Sequence, residues 1–425
     1  MTTEKDFENT SADTVAEDSD DFYGDFSDEL PVLRLRKREE RRIKAGHTWV
    51  FSNEVDTKLT PLKSFEPGEL VMIEASNQQQ LGVGYINPRS LICARLITRN
   101  TKSRIGRRFI AMRLRQALKL RQQLFKEDSY RWVFGEADGL PGLVLDRYGA
   151  VVVGQITTAG MESLREDIEA AIRKVLELKA MIWRNSSGVR ELEGLPLYNE
   201  PAYGVVPEFL EIQEGELRFQ VPALTGQKTG WFYDQRANRS RLATYAPGKS
   251  VLDLFCYAGG WGIAAAAVGA SEVTCVDASA DAITQVIVNA KLNNQQDKVS
   301  AITGDVFNYL RQARAEERHF DVIIVDPPAF IKKAKDKRAG LEAYQRVFSM
   351  AMRVLSKDGI LFVCSCSFHL DDSELQGALQ RAARHLDRQA QVLELLQQSP
   401  DHPAHPMIPQ TRYLKGVIAR IGATF

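Results

Sequence analysis

From about residue 205 to the carboxyl end, short apolar runs alternate with segments whose apolar residues recur at helical spacing. Continuous apolar runs of this length are typical of parallel strands, which are buried on both faces. The strands predicted in this half are 250–255, 272–277, 299–303, 320–325 and 359–364. The helices predicted between them are 261–268, 280–293, 306–314 and 341–355. This alternation predicts an α/β fold with a doubly wound sheet.

The first half of the chain follows a different pattern. Strands are predicted at 49–51, 70–73, 81–86 and 91–96, which indicates a small β-barrel. An α+β region follows, with helices predicted at 105–125 and near 163–178 and strands at 150–156 and 180–183. The four predicted parts are a disordered acidic tail (1–31), the small β-barrel (32–103), a central α+β domain (104–204) and the α/β domain (205–425).

Charge is unevenly distributed, although the chain is neutral overall with 55 basic and 55 acidic residues. Residues 1–30 contain eleven acidic residues and one lysine, a net charge of −10, so the remainder carries +10. Ten basic and no acidic side chains lie between Arg99 and Lys126, and further basic clusters lie at 34–44 and 332–338. Such patches fit an anionic partner such as RNA or a solvated helix face, and charge alone does not decide between them.

Two features bear on the cellular compartment. No stretch of about 18 uncharged apolar residues occurs and the amino terminus is acidic, so we expect a cytoplasmic protein without a membrane partner. The cysteines are odd in number and lack paired metal-ligand spacing, so we expect reduced thiols, no disulfide framework and no metal site. The cysteines are Cys93, Cys256, Cys275, Cys364 and Cys366.

Residues just after the α/β strands form a candidate ligand site, because ligands bind beyond the carboxyl ends of parallel strands. The first strand runs into a glycine-rich turn, Asp253 to Gly262, where glycine lets backbone approach a ligand. Asp277 ends the second strand, where a carboxylate can accept both ribose hydroxyls, and Asp305 follows the third, placed to contact an adenine edge. Either aspartate could instead cap a helix, but the agreement of three strand ends favours a ligand.

The charge of the turn indicates the kind of nucleotide. The turn lacks the Gly-x-Gly-x-x-Gly spacing of dinucleotide sites and begins with Asp253, which would repel a pyrophosphate but suits a sulfonium and an amino group. We therefore favour S-adenosylmethionine over NAD as the cofactor.

The fourth and fifth strands end in residues that could act on a methyl acceptor. Asp326-Pro-Pro forms a stiff loop that could grip an exocyclic amine, although the aromatic residue expected in such loops comes one place late, at Phe330. Cys364 and Cys366 lie on one face of the last strand, and Cys366 is nearer its open end. A thiolate that adds to carbon 6 of cytosine activates carbon 5, so Cys366 is the better candidate nucleophile. Both cysteines could instead be small core residues.

Several motifs together resemble the bacterial 23S ribosomal RNA 5-methylcytidine methyltransferases of the large-subunit methyltransferase I type. The similarity covers nearly everything after Leu33. It implies an N-terminal PUA-like RNA-binding domain, a central α+β domain and a class I (Rossmann-like) methyltransferase domain that uses S-adenosylmethionine. The motifs that carry it are Gly46-His-Thr-Trp-Val-Phe51, Gly135-Glu-Ala-Asp-Gly-Leu-Pro-Gly142, Gln227-Lys-Thr-Gly-Trp-Phe-Tyr-Asp-Gln-Arg236, Asp326-Pro-Pro328 and Ser365-Cys-Ser367.

The resemblance also implies that the segment 228–236, before the strand 250–255, closes over the cofactor. It further implies roles for single residues. Cys366 matches the family's nucleophile, and Asp326 would bond ring nitrogen 3 and the amine of the cytosine. The base that removes the carbon-5 proton is unassigned, because the Asp326 loop lacks a cysteine. The candidate cofactor-binding residues are Lys228, Thr229, Gly230, Phe232, Asp234, Gln235, Arg236, Asp253, Phe255, Tyr257, Gly259, Gly260, Asp277, Ala278, Ser279, Asp305, Val306, Asp326 and Pro327.

Three functions stay open on the sequence alone. The leading one is formation of 5-methylcytidine in 23S rRNA through a covalent cysteine adduct. The second is methylation of a guanine or adenine nitrogen through the Asp326 loop without a covalent step, and the third is a non-catalytic RNA-binding ribosome-assembly factor. The expected partner is large-subunit rRNA or a ribosomal particle, and the oligomeric state is left open, a homodimer included. We interpret the loop of His402 and His405 as lining the substrate mouth.

Overall fold

The computed structural model describes residues 30–225 and 229–423. Most of the predicted acidic tail and the candidate residue Lys228 lie outside these ranges. The described chain contains four β-sheets, two of five strands, one of two and one of seven. Within these residues no helix has both the length and the apolar character needed to span a bilayer.

The first sheet is built from short strands around a small apolar core that includes Leu33 and Ile73. Its elements are β1 (Val32–Arg34), α1 (Glu40–Lys44), β2 (Trp49–Val50), β3 (Leu70–Glu74), β4 (Gln80–Ile86) and β5 (Ala94–Thr98). The strand order is β1-β3-β4-β5-β2. The strand predicted at 91–96 begins at Ala94 instead, because the preceding residues form a turn in which Leu91 is 70% exposed.

The central region places helices on a mixed sheet in the order β10-β9-β8-β7-β6, in which β8 and β9 are parallel. The elements are α2 (Arg107–Leu124), β6 (Ser129–Phe134), β7 (Leu143–Tyr148), β8 (Val151–Ile156), α3 (Ala159–Ser163), α4 (Arg165–Val175), β9 (Ala180–Asn185), α5 (Val189–Leu192) and β10 (Tyr198–Gly204). Leu114 of α2 and Ile168 of α4 pack against Trp132 in one buried cluster. The amphipathic helix predicted at 105–125 is confirmed.

The third region starts with a hairpin and continues into the seven-stranded sheet. Its elements are β11 (Phe209–Glu214), β12 (Leu217–Pro222), α6 (Arg236–Arg239), α7 (Leu242–Tyr245), β13 (Ser250–Leu254), α8 (Gly260–Ala267), β14 (Glu272–Asp277), α9 (Ala280–Leu292), β15 (Val299–Thr303), α10 (Val306–Ala315), β16 (Phe320–Val325), α11 (Lys337–Arg353), β17 (Leu355–Ser365), α12 (Asp372–Arg384), β18 (Arg388–Gln397) and β19 (Lys415–Ala423).

The large sheet has the order β15-β14-β13-β16-β17-β19-β18. Strands β13 to β17 pair in parallel, whereas β19 is antiparallel to both of its neighbours. The predicted doubly wound α/β fold is therefore confirmed. The strand order changes direction between the parallel neighbours β13 and β16, at the centre of the sheet. The carboxyl ends of β13, β14, β15, β16 and β17 meet along one edge. The site residues predicted at or just after these strands lie at this edge.

The sequence missed the two antiparallel strands. In β18 the side chains of Val392 and Leu395 are 43% and 67% exposed, so the segment lacks the continuous apolar run of a buried strand. The buried part of β19 includes Val417 and Ile418. Strand β17 is also longer than predicted, since it starts at Leu355 rather than 359.

Two tyrosines join the central sheet to the segment before β13. The hydroxyl of Tyr148 donates to the carbonyl of Thr229 at 3.1 Å and accepts from the amide of Trp231 at 3.0 Å. The hydroxyl of Tyr233 donates to the carbonyl of Arg147 at 2.9 Å. The segment predicted to close over a cofactor is thus held from the central region.

A buried arginine makes a second connection. Arg121 of α2 has no exposed surface and bonds both carboxylate oxygens of Asp138 at 2.6 and 2.7 Å. It also donates to the carbonyl of Asp401, at 2.8 Å, which lies between β18 and β19. A buried guanidinium group is stable only when its donors are paired. The bonds to Asp138 and to Asp401 pair them, and the bond to Asp401 connects α2 to the large sheet.

Candidate active site

A tight turn after β13 forms the centre of the site. Phe255 and Tyr257 have φ values of 61° and 49°, a region that costs residues other than glycine roughly 1–2 kcal/mol each. Gly259 has a φ of 83° and caps α8, and Gly260 begins that helix. Backbone held in such conformations clusters at ligand-binding sites, which agrees with the predicted role of the turn.

Asp253 lies beneath this turn. It has no exposed surface, and its Oδ2 accepts a hydrogen bond from the amide of Gly262 at 2.8 Å. A Cβ on Gly262 would lie 2.3 Å from the sulfur of Cys275, so only glycine fits. The prediction that Asp253 itself faces the ligand does not match this placement, since the carboxyl group instead ties the turn to α8.

Asp277 lies at the end of β14 and is held by backbone amides on both oxygens. Its Oδ2 accepts from the amide of Tyr257 at 3.0 Å, and its Oδ1 accepts from the amide of Ser279 at 2.9 Å. Ser279 caps α9 by accepting from the amide of Ala282 at 3.2 Å, and Ala278 between them is exposed. The structure therefore brings Asp277 and Tyr257 together at the edge predicted to hold a ribose.

Asp305 caps α10. Its Oδ1 accepts from the amide of Asn308 at 2.9 Å, and the following Val306 is buried. The alternative interpretation of Asp305 as a helix cap is therefore confirmed. Asp305 is also exposed, and a contact with adenine stays a prediction.

Asp326 follows β16 and is oriented by two side chains from elsewhere in the chain. Its Oδ2 accepts from Nε2 of Gln235 and from Nε1 of Trp261, both at 3.0 Å. The amide oxygen of Gln235 in turn accepts from Asn238 at 2.6 Å. Pro327 beside it is buried. This chain of hydrogen bonds fixes the carboxylate of Asp326 at the strand edge.

The two cysteines of the last parallel strand differ in exposure. Cys364 is fully buried in β17, whereas Cys366, just past the strand end, is partly exposed. The prediction that Cys366 lies nearer the open end of the strand is therefore confirmed. The backbone around it is held by Tyr344, whose hydroxyl is 2.7 and 2.9 Å from the hydroxyls of Ser365 and Ser367.

Three residues of the predicted closing segment point towards the turn. The carbonyl of Gly230 accepts from the hydroxyl of Tyr257 at 2.9 Å. The ring of Phe232 meets that of Tyr257 edge-on, with centroids 5.4 Å apart. Gln235 reaches Asp326, as described above.

Three other residues of this segment bond groups outside the turn. The carbonyl of Thr229 is directed at the central sheet. Asp234 accepts from the hydroxyl of Tyr413 at 2.5 Å. Arg236 donates to the carbonyl of Gln213 in β11 at 2.6 Å. The structure thus does not bring Arg236 to the strand ends, because the hairpin takes its guanidinium group.

Comparison with known proteins finds two matching families. A family of PUA-like domains matches residues 33–99, and a family of S-adenosylmethionine-dependent methyltransferases matches residues 162–418. The chain is 35% identical over 395 residues to ribosomal RNA large subunit methyltransferase I of Shewanella amazonensis, covering 92% of this chain and 99% of that protein. A relative of the same name from Aeromonas hydrophila is 35% identical over 395 residues, with 91% and 98% covered.

The chain belongs to the large subunit methyltransferase I family. A solved structure from Streptococcus mutans, described as a SAM-dependent methyltransferase, has a TM-score of 0.78 and 21% identity and covers 92% of this chain and 100% of its own. A second solved structure, of a methyltransferase complexed with SAH, has the same values. These likenesses confirm the fold of the methyltransferase.

The cofactor of this methyltransferase is S-adenosylmethionine, and the strand ends suit it. Asp277 and Asp326 border the turn, with Asp253 beneath it. Burial raises the pKa of Asp253 well above its usual range, and repulsion from Asp326 and Asp277 adds to the rise. A ligand that brings a sulfonium and an amino group would reduce this repulsion, whereas a pyrophosphate would increase it.

Sequence reasoning missed two residues at this edge. Trp261, inside the glycine-rich turn, was read as the start of a helix, although an indole nitrogen in such a turn is a donor that needs a partner. Tyr344 on α11 gave no signal, since it lies 21 residues before the serine that it contacts. Both act through contacts that are distant in sequence.

One group of potential metal ligands lies under the turn. The ligand atoms of Asp253, Cys256 and Cys275 are within 4.8 Å of one another. A hydrogen bond to Cys275 and burial raise the pKa of the Cys256 thiol well above its usual value, and burial does the same for Asp253. Metals bind the deprotonated forms of these groups, so their chemistry favours packing over coordination.

The histidine loop lies between β18 and β19, where the ring of His402 is 6.5 Å from that of Tyr413. His402 is buried, with its Nδ1 2.8 Å from the carboxylate of Asp401. His405 lines a cavity of about 390 Å³ together with Thr48, which precedes β2, and Arg113 of α2. The interpretation of His402 as lining a substrate mouth is therefore wrong, because its ring is enclosed.

Proposed function

We propose that this methyltransferase forms 5-methylcytidine in large-subunit ribosomal RNA, with Cys366 as a covalent nucleophile. The names of the curated relatives support ribosomal RNA of the large subunit as the substrate. One observation carries the covalent step. Cys366 is a partly exposed thiol at the end of β17, next to the strand that ends in Asp326, whereas its neighbour Cys364 is enclosed.

The proposed reaction has three steps, of which the first is assigned to Cys366. The thiolate of Cys366 adds to carbon 6 of the cytosine, so carbon 5 becomes nucleophilic. S-adenosylmethionine would supply the electrophilic methyl group to carbon 5 and leave as S-adenosylhomocysteine. An unassigned base then takes the carbon-5 proton, and the electrons of that carbon–hydrogen bond re-form the double bond between carbons 5 and 6 and expel the thiolate.

Asp326 would position the cytosine during these steps. Gln235 and Trp261 both donate to one oxygen of Asp326, so its carboxyl group is presented in one orientation. A base that is turned out of its stack can be read along its Watson–Crick edge. We propose that Asp326 bonds nitrogen 3 and the exocyclic amine there, because these atoms distinguish cytosine from uracil.

The basic residues support RNA as the partner. Five exposed basic side chains lie on and just before α2, and we call this set the basic face. Arg121 of the same helix is buried. The basic face consists of Arg104, Arg107, Arg108, Arg115 and Lys119. Exposed basic residues attract phosphates over long range, and the PUA-like domain adjoins this helix.

The packing of Phe330 disfavours the second candidate function. An aromatic residue after Asp326-Pro-Pro would have to lie over the base whose amine it helps to hold. Phe330 instead packs against Tyr344 and Phe255, with ring centroids 4.8 and 6.4 Å away. We therefore do not assign transfer to a purine nitrogen.

The test uses unmethylated 23S rRNA, labelled S-adenosylmethionine and nucleoside analysis of the product. Cys366→Ala is expected to lower 5-methylcytidine formation roughly a thousandfold or more, since the nucleophile is removed. Cys364→Ala is the matched control, and we expect activity within a few-fold of the wild type. Full activity of Cys366→Ala would contradict the covalent mechanism, and a methylated purine as product would contradict the proposed substrate.

A further inference from the structure

Lys415 is a buried lysine on the strand next to the one that leads to Cys366. Its Cα lies opposite Ser365 in the pairing of β17 with β19, and the residue is 6% exposed. Its Nζ donates a hydrogen bond to the carbonyl of Ser367 at 2.9 Å. The ammonium group therefore contacts the loop at the residue directly after Cys366.

The buried charge is only partly compensated. Burial lowers the pKa of Lys415, and the charges of Asp372 and of an ionised Cys366 oppose this change, followed by Asp371. Asp372 is already paired with Arg412 at 3.1 Å, and Arg412 lowers the pKa of Lys415 further. Within residues 30–225 and 229–423, Lys415 has no carboxylate oxygen within salt-bridge distance. An anion on Cys366 would supply the missing compensation.

The other groups that face Cys366 are neutral or acidic. Tyr344 from α11 and Tyr413 beside β19 both have pKa values raised by burial, so their hydroxyls stay neutral near pH 7. Burial likewise raises the pKa of the Cys364 thiol, and Asp326 adds to that rise. These groups oppose a negative charge at this strand end, so a thiolate here needs a cation.

We infer that Lys415 is the positively charged group that stabilises the thiolate of Cys366. In forming the thiolate, the sulfur gives its proton to solvent while Lys415 keeps its own. Lys415 is a positioning residue, since it acts through Cys366 and through the carbonyl of Ser367. The inference rests on the proposed function for its purpose, but the thiolate can be measured without RNA.

Three variants separate charge from structure. Lys415→Arg keeps a positive charge and a donor for the Ser367 carbonyl. Lys415→Gln keeps a donor and removes the charge, and Lys415→Met removes both. A purely structural lysine requires the Gln variant to behave like the wild type, whereas an electrostatic role requires the Arg variant to do so. Wild-type affinity for S-adenosylmethionine shows that each variant is folded.

The experiment measures the rate at which iodoacetamide alkylates Cys366 in the full chain between pH 5 and 10, with mass spectrometry of the Cys366 peptide. The method is selective because the other four cysteines are buried. We expect the midpoint of the titration to rise by about one unit in Lys415→Gln and Lys415→Met. Well below the midpoint the rate should fall about threefold, because the tenfold loss of thiolate is partly offset by its greater nucleophilicity.

An unchanged midpoint in Lys415→Gln, or an equal rise in Lys415→Arg, would overturn the inference. The pH dependence of methylation gives a second readout, in which the acidic limb of kcat/KM should move with the alkylation midpoint. The two proposals fail in different ways. If Cys366→Ala kept full activity while the alkylation midpoint still followed the charge at position 415, the covalent mechanism would fall and the role of Lys415 would stand.

Discussion

The two halves of the active-site edge are built by different means. The cofactor half lies at the ends of β13 and β14 and is formed mainly by backbone: strained residues form the turn, and amides fix Asp277. The acceptor half lies at the ends of β16 and β17 and is formed by side chains that are distant in sequence. Gln235, Trp261 and Lys415 hold the groups that we assign to the methyl acceptor. Cofactor binding should therefore be sensitive to backbone geometry, and the acceptor chemistry to single donors.

The largest effect on folding stability is expected in the cofactor half, at the ends of β13 and β14. In Gly262→Ala the added Cβ would lie 2.3 Å from the sulfur of Cys275 and 3.2 Å from Asp253, so the turn must shift. We expect a loss of about 1–3 kcal/mol in the free energy of unfolding and weaker binding of S-adenosylmethionine, measured by urea unfolding and calorimetry.

The control for this variant is Gly377→Ala. The nearest atom to a Cβ there is the far end of the Arg381 side chain, at 3.2 Å, and alanine favours the helix. We expect unchanged cofactor binding and equal or greater stability. Equal behaviour of the two variants would show that the turn is not tightly constrained.

An intermediate effect is expected in the acceptor half. Gln235→Leu removes a donor to the carboxylate of Asp326 while it keeps the side-chain volume. Hydrogen bonds to charged groups contribute about 1.5–3 kcal/mol, so we expect kcat to fall at least tenfold, with the affinity for S-adenosylmethionine within about twofold. Single-turnover methylation and calorimetry measure the two quantities.

Gln312→Leu serves as the control for Gln235→Leu, because Gln312 bonds only Glu316 on the surface of α10 among the described contacts. We expect wild-type kcat in this control. A large loss of cofactor affinity in Gln235→Leu, equal to its loss in kcat, would mean that the two halves are not separately built.

The smallest expected effect concerns Asp305. Asp305→Ala removes the cap of α10 and should cost about 1 kcal/mol of stability, whereas Asp305→Asn keeps a capping oxygen and should cost much less. Thermal unfolding measures both. If Asp305 is only a cap, neither variant changes cofactor affinity, and weaker binding in both would instead support the predicted contact with adenine.

The sequence predicted the cofactor half better than the acceptor half, and the reason is local. The five parallel strands were found because apolar-rich runs alternate with segments of helical spacing, and Asp277 was found because it ends one of these strands. Trp261 and Lys415 were missed because their importance depends on partners 65 and 48 residues away. Asp253 was predicted to face the ligand, but its carboxyl group is enclosed beneath the turn, since a motif does not show which face of a strand is covered.

The family motifs likewise did not show which way neighbouring side chains point. It identified Gln235 and Arg236 as neighbours in one motif, and their side chains diverge: one reaches Asp326 and the other the β11 hairpin. In a helix, adjacent residues point about 100° apart, so a motif can hold one residue for the site and the next for the scaffold. The bounds of the three domains stay predictions.

Arg121 has a consequence for how a target could be chosen. Its charge is used inside the protein, where it fastens α2 to Asp138 and to the loop after β18. If rRNA lies along the basic face, as proposed, that helix is held at a set separation from Cys366. A cytidine would then be selected by its base and also by its distance from the RNA segment that lies along the basic face.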